Sequence, residues 1–158
     1  VYNIAAINLI LEHYPVNSIK DIGYFLKPVW HINAITINGE PYTLSQIEHD
    51  ILRGYDEPRI HFAIVCASVS CPDLRKEAYT EAKIDSQLDE QTKTFLANKT
   101  KGARYDKQFG IVSVSRLFKW FKADFMVPIP DYIEKHSKIK AKKKKLQFLP
   151  YNWKLNDL

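Results

Sequence analysis

Residues 59–72 read Arg-Ile-His-Phe-Ala-Ile-Val-Cys-Ala-Ser-Val-Ser-Cys-Pro. The run from Ile60 to Val65 is short, apolar and rich in β-branched residues, which predicts a buried strand. The small residues that follow, up to Pro72, predict a turn at the carboxyl end of that strand. Loops at strand ends often carry function. We therefore expect a functional site around His61, Cys66 and Cys71.

Outside this stretch, local signals predict an α+β domain with a small, mostly antiparallel sheet packed by helices. A nearly all-apolar helix over residues 1–14 should be buried and should end before Pro15. The Asn38-Gly39 pair predicts a hairpin over residues 32–43, and two overlapping capping boxes, Thr43 with Gln46 and Ser45 with Glu48, predict a helix to about residue 53. Further helices are expected over 84–99, from Ser115 through Phe121, and over 128–136, with a strand over 110–114.

Composition is that of one compact domain spanning residues 1–158, with 46% hydrophobic and 13% aromatic content. No apolar run approaches the roughly 20 residues of a membrane span. The chain opens at Val1, already inside a helical pattern, so we expect that it lacks its natural N-terminal segment. The identity of any peptide or small-molecule substrate and the oligomeric state are left open by the sequence.

The formal net charge of +5 comes from one segment. Seven lysines lie in residues 135–145 without an acidic residue, and the rest of the chain is slightly acidic. No aromatic residues alternate with these lysines, and no nucleic-acid-binding motif accompanies them. We expect a mobile or solvent-facing loop that contributes little to the fold and binds no specific nucleic acid.

Three polar residues fall on apolar helix faces. Asn3 and Asn8 lie in the apolar sector of the first helix, and each should have a hydrogen-bond partner. Glu48 lies only about 40° from Leu44, within an apolar stripe completed by Ile47 and Ile51. We expect Glu48 to be mostly buried and hydrogen-bonded.

The two cysteines permit several kinds of chemistry. Their Cys-x4-Cys spacing allows a local disulfide in an oxidising compartment and is not a zinc motif, so we expect no metal and no cofactor. Catalysis by a thiol needs a base, and His61 is the obvious one. Strand alternation would place His61 and Cys66 on opposite faces, which leaves Cys71 as the freer partner. A structural pair, either buried thiols or a disulfide, is the alternative.

The chain resembles the family called domain of unknown function 547. The resemblance rests on these motifs: Tyr2-Asn3 with Asn8, residues 13–15, 18–21, 47–53 and 59–72, Ala78-Tyr79, Leu88-Asp89, residues 118–121 and Asp124-Phe125. Many bacterial members look like exported proteins, so the resemblance implies a periplasmic or extracellular location. A buried first helix and a nearby histidine are also similar in outline to papain-like and transglutaminase-like hydrolases. Those enzymes carry their cysteine at the buried helix, where this chain has Asn3.

These observations predict a cleft bounded by the start of the first helix, Glu48, His61 and the loop from Cys66 to Cys71. In the enzyme hypothesis, a thiol-dependent hydrolase or acyl transferase, His61 is the base and Glu48 or Asn3 orients it. Cys71 or Cys66 attacks, and loop amides hold the oxyanion. The alternative hypothesis is a non-catalytic peptide- or protein-binding module with structural cysteines.

Overall fold

A computed structural model describes residues 1–157. Helices and small sheets alternate along the chain, which confirms the α+β class. Two compact units form. Unit one consists of Val1–Glu57, Ile64–Leu74 and the segment from Asn152 onward, and unit two consists of Pro58–Ala63 and Arg75–Tyr151. The single-domain organisation over residues 1–158 stays a prediction.

Unit one opens with helix α1, Tyr2–His13, which ends where Tyr14 adopts the extended conformation that a following proline requires. The helix is not buried on every side, so that expectation was wrong. Its buried face carries Ala5 and Ala6, while Ile4 and Leu11 are exposed. Because almost all residues of this helix are apolar, its sequence does not show which face is buried. The small side chains of Ala5 and Ala6 let their face pack closely against the core.

The hairpin follows as expected, with antiparallel strands β1 (Asn33–Ile37) and β2 (Glu40–Thr43). Asn38 and Gly39 form its two-residue turn at φ 53° and 85°, the left-handed values that this kind of turn needs. The predicted capping box is also present. The Thr43 N–H donates to Gln46 Oε1, and the Gln46 N–H donates to Thr43 Oγ1.

The helix that this box opens is a π-helix, Gln46–Leu52, in which the Arg53 N–H bonds to the Glu48 carbonyl. Its wider turn changes the phase expected for an α-helix. Leu52 therefore packs on the core, whereas Ile51 is 40% exposed, and its predicted place in the apolar stripe was wrong. The core of unit one consists of Tyr2, Ala5, Ala6, Leu9, Ile10, Ile19, Val29, Leu44 and Ile47.

Unit two does not begin with the predicted strand. Pro58–Phe62 forms a 3₁₀ helix, and the Ala63 N–H bonds back to the Ile60 carbonyl. The strand prediction for residues 60–65 was wrong because a short apolar run has the same appearance in a buried strand and in a buried helical turn. Pro58 favours the helical start. The alternation argument that separated His61 from Cys66 therefore does not apply.

The rest of unit two contains four α- or β-elements that local patterns predicted and two strands that they did not. In chain order the elements are α2 (Ile84–Ala97), β3 (Ala103–Asp106), β4 (Ile111–Val114), α3 (Leu117–Trp120), α4 (Ile129–His136) and β5 (Lys145–Phe148). Strand β4 pairs antiparallel with β3 and parallel with β5. An aromatic core that includes Phe62, Phe95, Phe118, Phe125 and Tyr132 packs between these elements.

The lysine segment is solvent-facing, as expected, and it also contributes to the fold. Lys142 to Lys145 are exposed, yet Ala141 is fully buried and Lys145 begins strand β5. The Lys142 N–H donates to Glu134 Oε1, and its ammonium group lies 2.7 Å from Asp131 Oδ1. The expectation of a small contribution to the fold was wrong because the backbone of this segment is paired, which charge patterning does not reveal.

Within residues 1–157, every helix is too short or too polar to cross a membrane.

Candidate functional site

The two cysteines lie against each other in unit one. Their Sγ atoms are 3.0 Å apart and are not joined by a disulfide. The Cys66 N–H donates to Cys71 Sγ at 2.9 Å, and Ser68 Oγ lies 3.4 Å from Cys66 Sγ. Cys71 is 3% exposed, whereas Cys66 is half-buried. Cys66 is therefore the more exposed of the two residues.

The loop that carries these sulfurs has a constrained backbone. Ala67 adopts φ 53°, a left-handed conformation that costs an L-residue about 1–2 kcal/mol. The Cys71 N–H closes a turn on the Ser68 carbonyl. Such strain persists only where the surroundings determine the conformation, and it is common at functional sites.

The C-terminal segment supplies those surroundings. The Val69 N–H donates to the Lys154 carbonyl, and the Ser70 N–H donates to the Asn152 carbonyl. In return the Asn156 N–H donates to the Ala67 carbonyl at 3.0 Å. Three backbone hydrogen bonds thus join the cysteine loop to a segment more than 80 residues further along the chain, and they hold the loop on both sides of Ser68.

The start of helix α1 supports the chain that leads into the loop. Asn3 Oδ1 accepts a hydrogen bond from the Val65 N–H at 2.8 Å. This bond confirms the expectation that Asn3 has a partner. The bond places the first turn of α1 beside the residue that precedes Cys66. It also satisfies the Val65 N–H, which in a β-strand would have bonded to a neighbouring strand.

Tyr2 and Glu48 form the other wall of this cluster. The Tyr2 hydroxyl donates to Glu48 Oε2 over a long distance of 3.4 Å. Burial, followed by the negative charge of Glu48 and of the two cysteines, raises the pKa of the Tyr2 phenol well above its usual value. Tyr2 is therefore a protonated donor. Glu48 is hydrogen-bonded and mostly buried, as expected.

His61 belongs to unit two, where its side chain is fully buried. Its Nε2 lies 2.7 Å from Asp124 Oδ2, and its ring stacks on Phe121 with a centroid distance of 3.9 Å. Asp124 was missed as a site residue, although Asp124-Phe125 is one of the motifs on which the family resemblance rests. The structure thus gives His61 a carboxylate partner within its own unit.

The predicted site residues therefore fall into two groups. Asn3, Glu48, Cys66 and Cys71 come together in unit one, and His61 lies with Asp124 in unit two. The predicted catalytic roles of these five residues stay predictions. In the described part of the chain, no group of three or more histidine, cysteine, aspartate or glutamate side chains is arranged to hold a metal ion.

A family model described as "Protein of unknown function, DUF547" matches residues 1–96, more than half of the chain. The match includes Asn3, Glu48, His61 and both cysteines. Comparison with curated proteins gave no match, and comparison with solved structures gave none either.

Proposed function

Because the chain belongs to the DUF547 family of proteins of unknown function, we propose its activity from the site itself: a thiol-dependent hydrolase or acyl transferase with Cys66 as the nucleophile. The observation that carries this proposal is the difference between the two sulfurs. Cys66 is partly open to solvent on a strained loop, and Cys71 is buried behind it. Of the two cysteines, Cys66 is the more exposed residue, which favours it as the attacking group.

The reaction follows from thiol chemistry. Cys66 Sγ, as the thiolate, attacks an acyl carbonyl, the bond to the leaving group breaks, and the leaving group takes up the thiol proton. The product is a thioester on Cys66. Water then releases the acid in a hydrolase, or an amine or alcohol takes the acyl group in a transferase.

Two residues of helix α1 would assist at different points. Tyr2 has a protonated hydroxyl beside Glu48, and rotation of this O–H from Glu48 toward a substrate oxygen would stabilise negative charge that develops there. Asn3 keeps the backbone before Cys66 in place.

The role of His61 as the base stays a prediction. Within unit two, its imidazole has in Asp124 the kind of carboxylate partner that orients a catalytic histidine.

The second candidate function is the non-catalytic peptide- or protein-binding module. The burial of Cys71 and the N–H bond that its sulfur accepts favour a structural role for the cysteines. A periplasmic or extracellular location, implied by the family resemblance, is proposed together with either function.

Acylation by an activated ester, p-nitrophenyl acetate, separates the two functions. We expect the protein to acquire one acetyl group on Cys66, found by peptide mass mapping, faster than free cysteine reacts under the same conditions. Cys66→Ser should lose the acetylation and Cys71→Ser should keep it.

An acetylation rate no higher than that of free cysteine would contradict the enzyme proposal and favour the binding module. Equal acetylation of Cys66→Ser and the unmodified protein would also contradict the enzyme proposal, because the reactive group would then not be Cys66. Circular dichroism of each variant shows whether a loss of rate reflects a loss of fold.

A further inference from the structure

The contact between the two sulfurs has a chemical consequence that does not depend on acyl transfer. Cys66 Sγ and Cys71 Sγ lie 3.0 Å apart as thiols. A disulfide bond is about 2.0 Å long, so the two sulfurs need to approach by only about 1 Å to form one.

The loop is built to keep the sulfurs in contact. Ala67 reverses the chain through its left-handed conformation, and the Ser68 carbonyl accepts the Cys71 N–H. The Lys154 carbonyl accepts the Val69 N–H and the Asn156 N–H donates to the Ala67 carbonyl, which holds the chain on both sides of Ser68. The backbone conformation and hydrogen bonds of the loop therefore help to keep the two sulfurs in contact.

The two sulfurs differ in the way that thiol–disulfide exchange requires. Such exchange starts with an accessible thiolate and is completed by a second thiol that lies within reach of the first. Cys66 is half-buried and Cys71 is 3% exposed, so Cys66 is the better placed of the two for the first attack. The Cys66 N–H, which donates to Cys71 Sγ at 2.9 Å, stabilises negative charge on the inner sulfur.

We propose that Cys66 and Cys71 are a thiol–disulfide exchange pair whose substrates are low-molecular-weight disulfides. Cys66 thiolate attacks one sulfur of the substrate, the substrate S–S bond breaks, and one substrate thiol leaves with the proton that Cys66 lost. Cys71 thiolate then attacks Cys66 Sγ, which forms the intramolecular disulfide and releases the second substrate thiol with the proton of Cys71. One protein dithiol and one substrate disulfide thus give one protein disulfide and two substrate thiols.

This reaction would also control the acyl chemistry proposed above. A Cys66 sulfur held in a disulfide cannot attack a carbonyl. Reaction with a disulfide is measured without any acyl substrate, so the result is independent of whether the protein transfers acyl groups.

The test exposes the folded full chain to oxidised glutathione, stops the reaction with acid, blocks remaining thiols and measures the intact mass. We expect the unmodified protein to lose the mass of two hydrogen atoms and to regain it with excess reduced glutathione. Peptide mapping should find Cys66 linked to Cys71. Cys71→Ser should instead accumulate one glutathione on Cys66, because the resolving thiol is gone.

Cys66→Ser is the matched variant. It should remain unmodified over the time in which Cys71→Ser becomes fully glutathionylated, because its remaining thiol is buried. The proposal would be overturned by a native protein that keeps two thiols, or by one that retains glutathione on Cys66 without forming the internal disulfide. Equal reaction of the two serine variants would overturn the assigned order of attack. The result on the unmodified protein decides the main question even where a variant fails to fold.

Discussion

The side-chain oxygen of Asn3 and the backbone N–H of Val65 share a hydrogen bond of 2.8 Å across 62 positions of sequence. This bond joins the first turn of helix α1 to the residue that precedes Cys66. The position of Cys66 therefore depends on helix α1, which supplies Tyr2 to the site but no thiol.

Replacement of Asn3 by alanine should lower the free energy of unfolding by about 1–3 kcal/mol, because a part-buried N–H at Val65 would lose its acceptor. Urea unfolding measures the change. Asn8→Ala, on the same helix but exposed, is the control and should stay within about 0.5 kcal/mol. Equal losses in the two variants would contradict a specific contribution from the bond to Val65.

The raised pKa of Tyr2 predicts a dependence of stability on alkaline pH. In the folded state the phenol keeps its proton above pH about 10, where the unfolded chain loses it. The folded state then binds more protons than the unfolded state, so stability falls as pH rises above that value, by up to about 1.4 kcal/mol per pH unit.

Tyr2→Phe removes this ionisation, and the variant should lose less stability than the unmodified protein between pH about 8 and about 11. Urea unfolding across this range is the measurement. Tyr24→Phe, at an exposed position, serves as the control and should follow the unmodified protein. Parallel pH curves for all three proteins would contradict a buried, protonated Tyr2.

Asp124→Ala should destabilise unit two by about 1–3 kcal/mol, because it leaves the fully buried ring of His61 without the carboxylate that lies 2.7 Å away. Thermal and urea unfolding both report this. The matched substitution is Asp131→Ala, which removes a carboxylate that pairs with exposed Lys142. Exposed pairs contribute about 0–1 kcal/mol, and an Asp131 effect as large as that of Asp124 would contradict the distinction.

Two glycines provide a test of backbone conformation with no packing contribution, since an added Cβ at either position meets nothing within 4 Å. Gly39→Ala should cost about 1–2 kcal/mol, because φ at this position is 85°. Gly54 has no such φ, and Gly54→Ala should be neutral or stabilising by up to about 1 kcal/mol. A tolerated Gly39→Ala, measured by urea unfolding, would show that the hairpin turn can relax.

Features whose signals lie within a few residues were predicted well. The Asn38-Gly39 turn, the Thr43 and Gln46 capping box and helix α2 all appear where local patterns placed them. Each of them depends on backbone preference or on hydrogen bonds between near neighbours, which the order of residue types expresses directly. Asn3 was also expected to have a partner, although the identity of that partner was not predictable.

Features that depend on contacts between distant residues were predicted poorly. Residues 60–65 have the composition of a strand, but burial on all sides suits a 3₁₀ helix at Pro58–Phe62 equally well. Strand β5, which begins at Lys145, is recognisable only through its pairing with β4. The Ile51 position failed because the i→i+5 hydrogen bonding of its helix leaves no signature in the apolar spacing.

The sequence by itself determined the family, the main helices, the hairpin and the crowding of both cysteines into one short loop, because these follow from residue types and short spacings. Only the tertiary structure decided that Cys66 is more exposed than Cys71, that Tyr2 faces Glu48, and that Asp124 binds His61. The physical reason is that burial and hydrogen-bond partnership depend on segments that meet only after the chain has folded. Tyr2 and Glu48 are 46 positions apart in the sequence, and His61 and Asp124 are 63 positions apart. Local patterns carry no information over such separations.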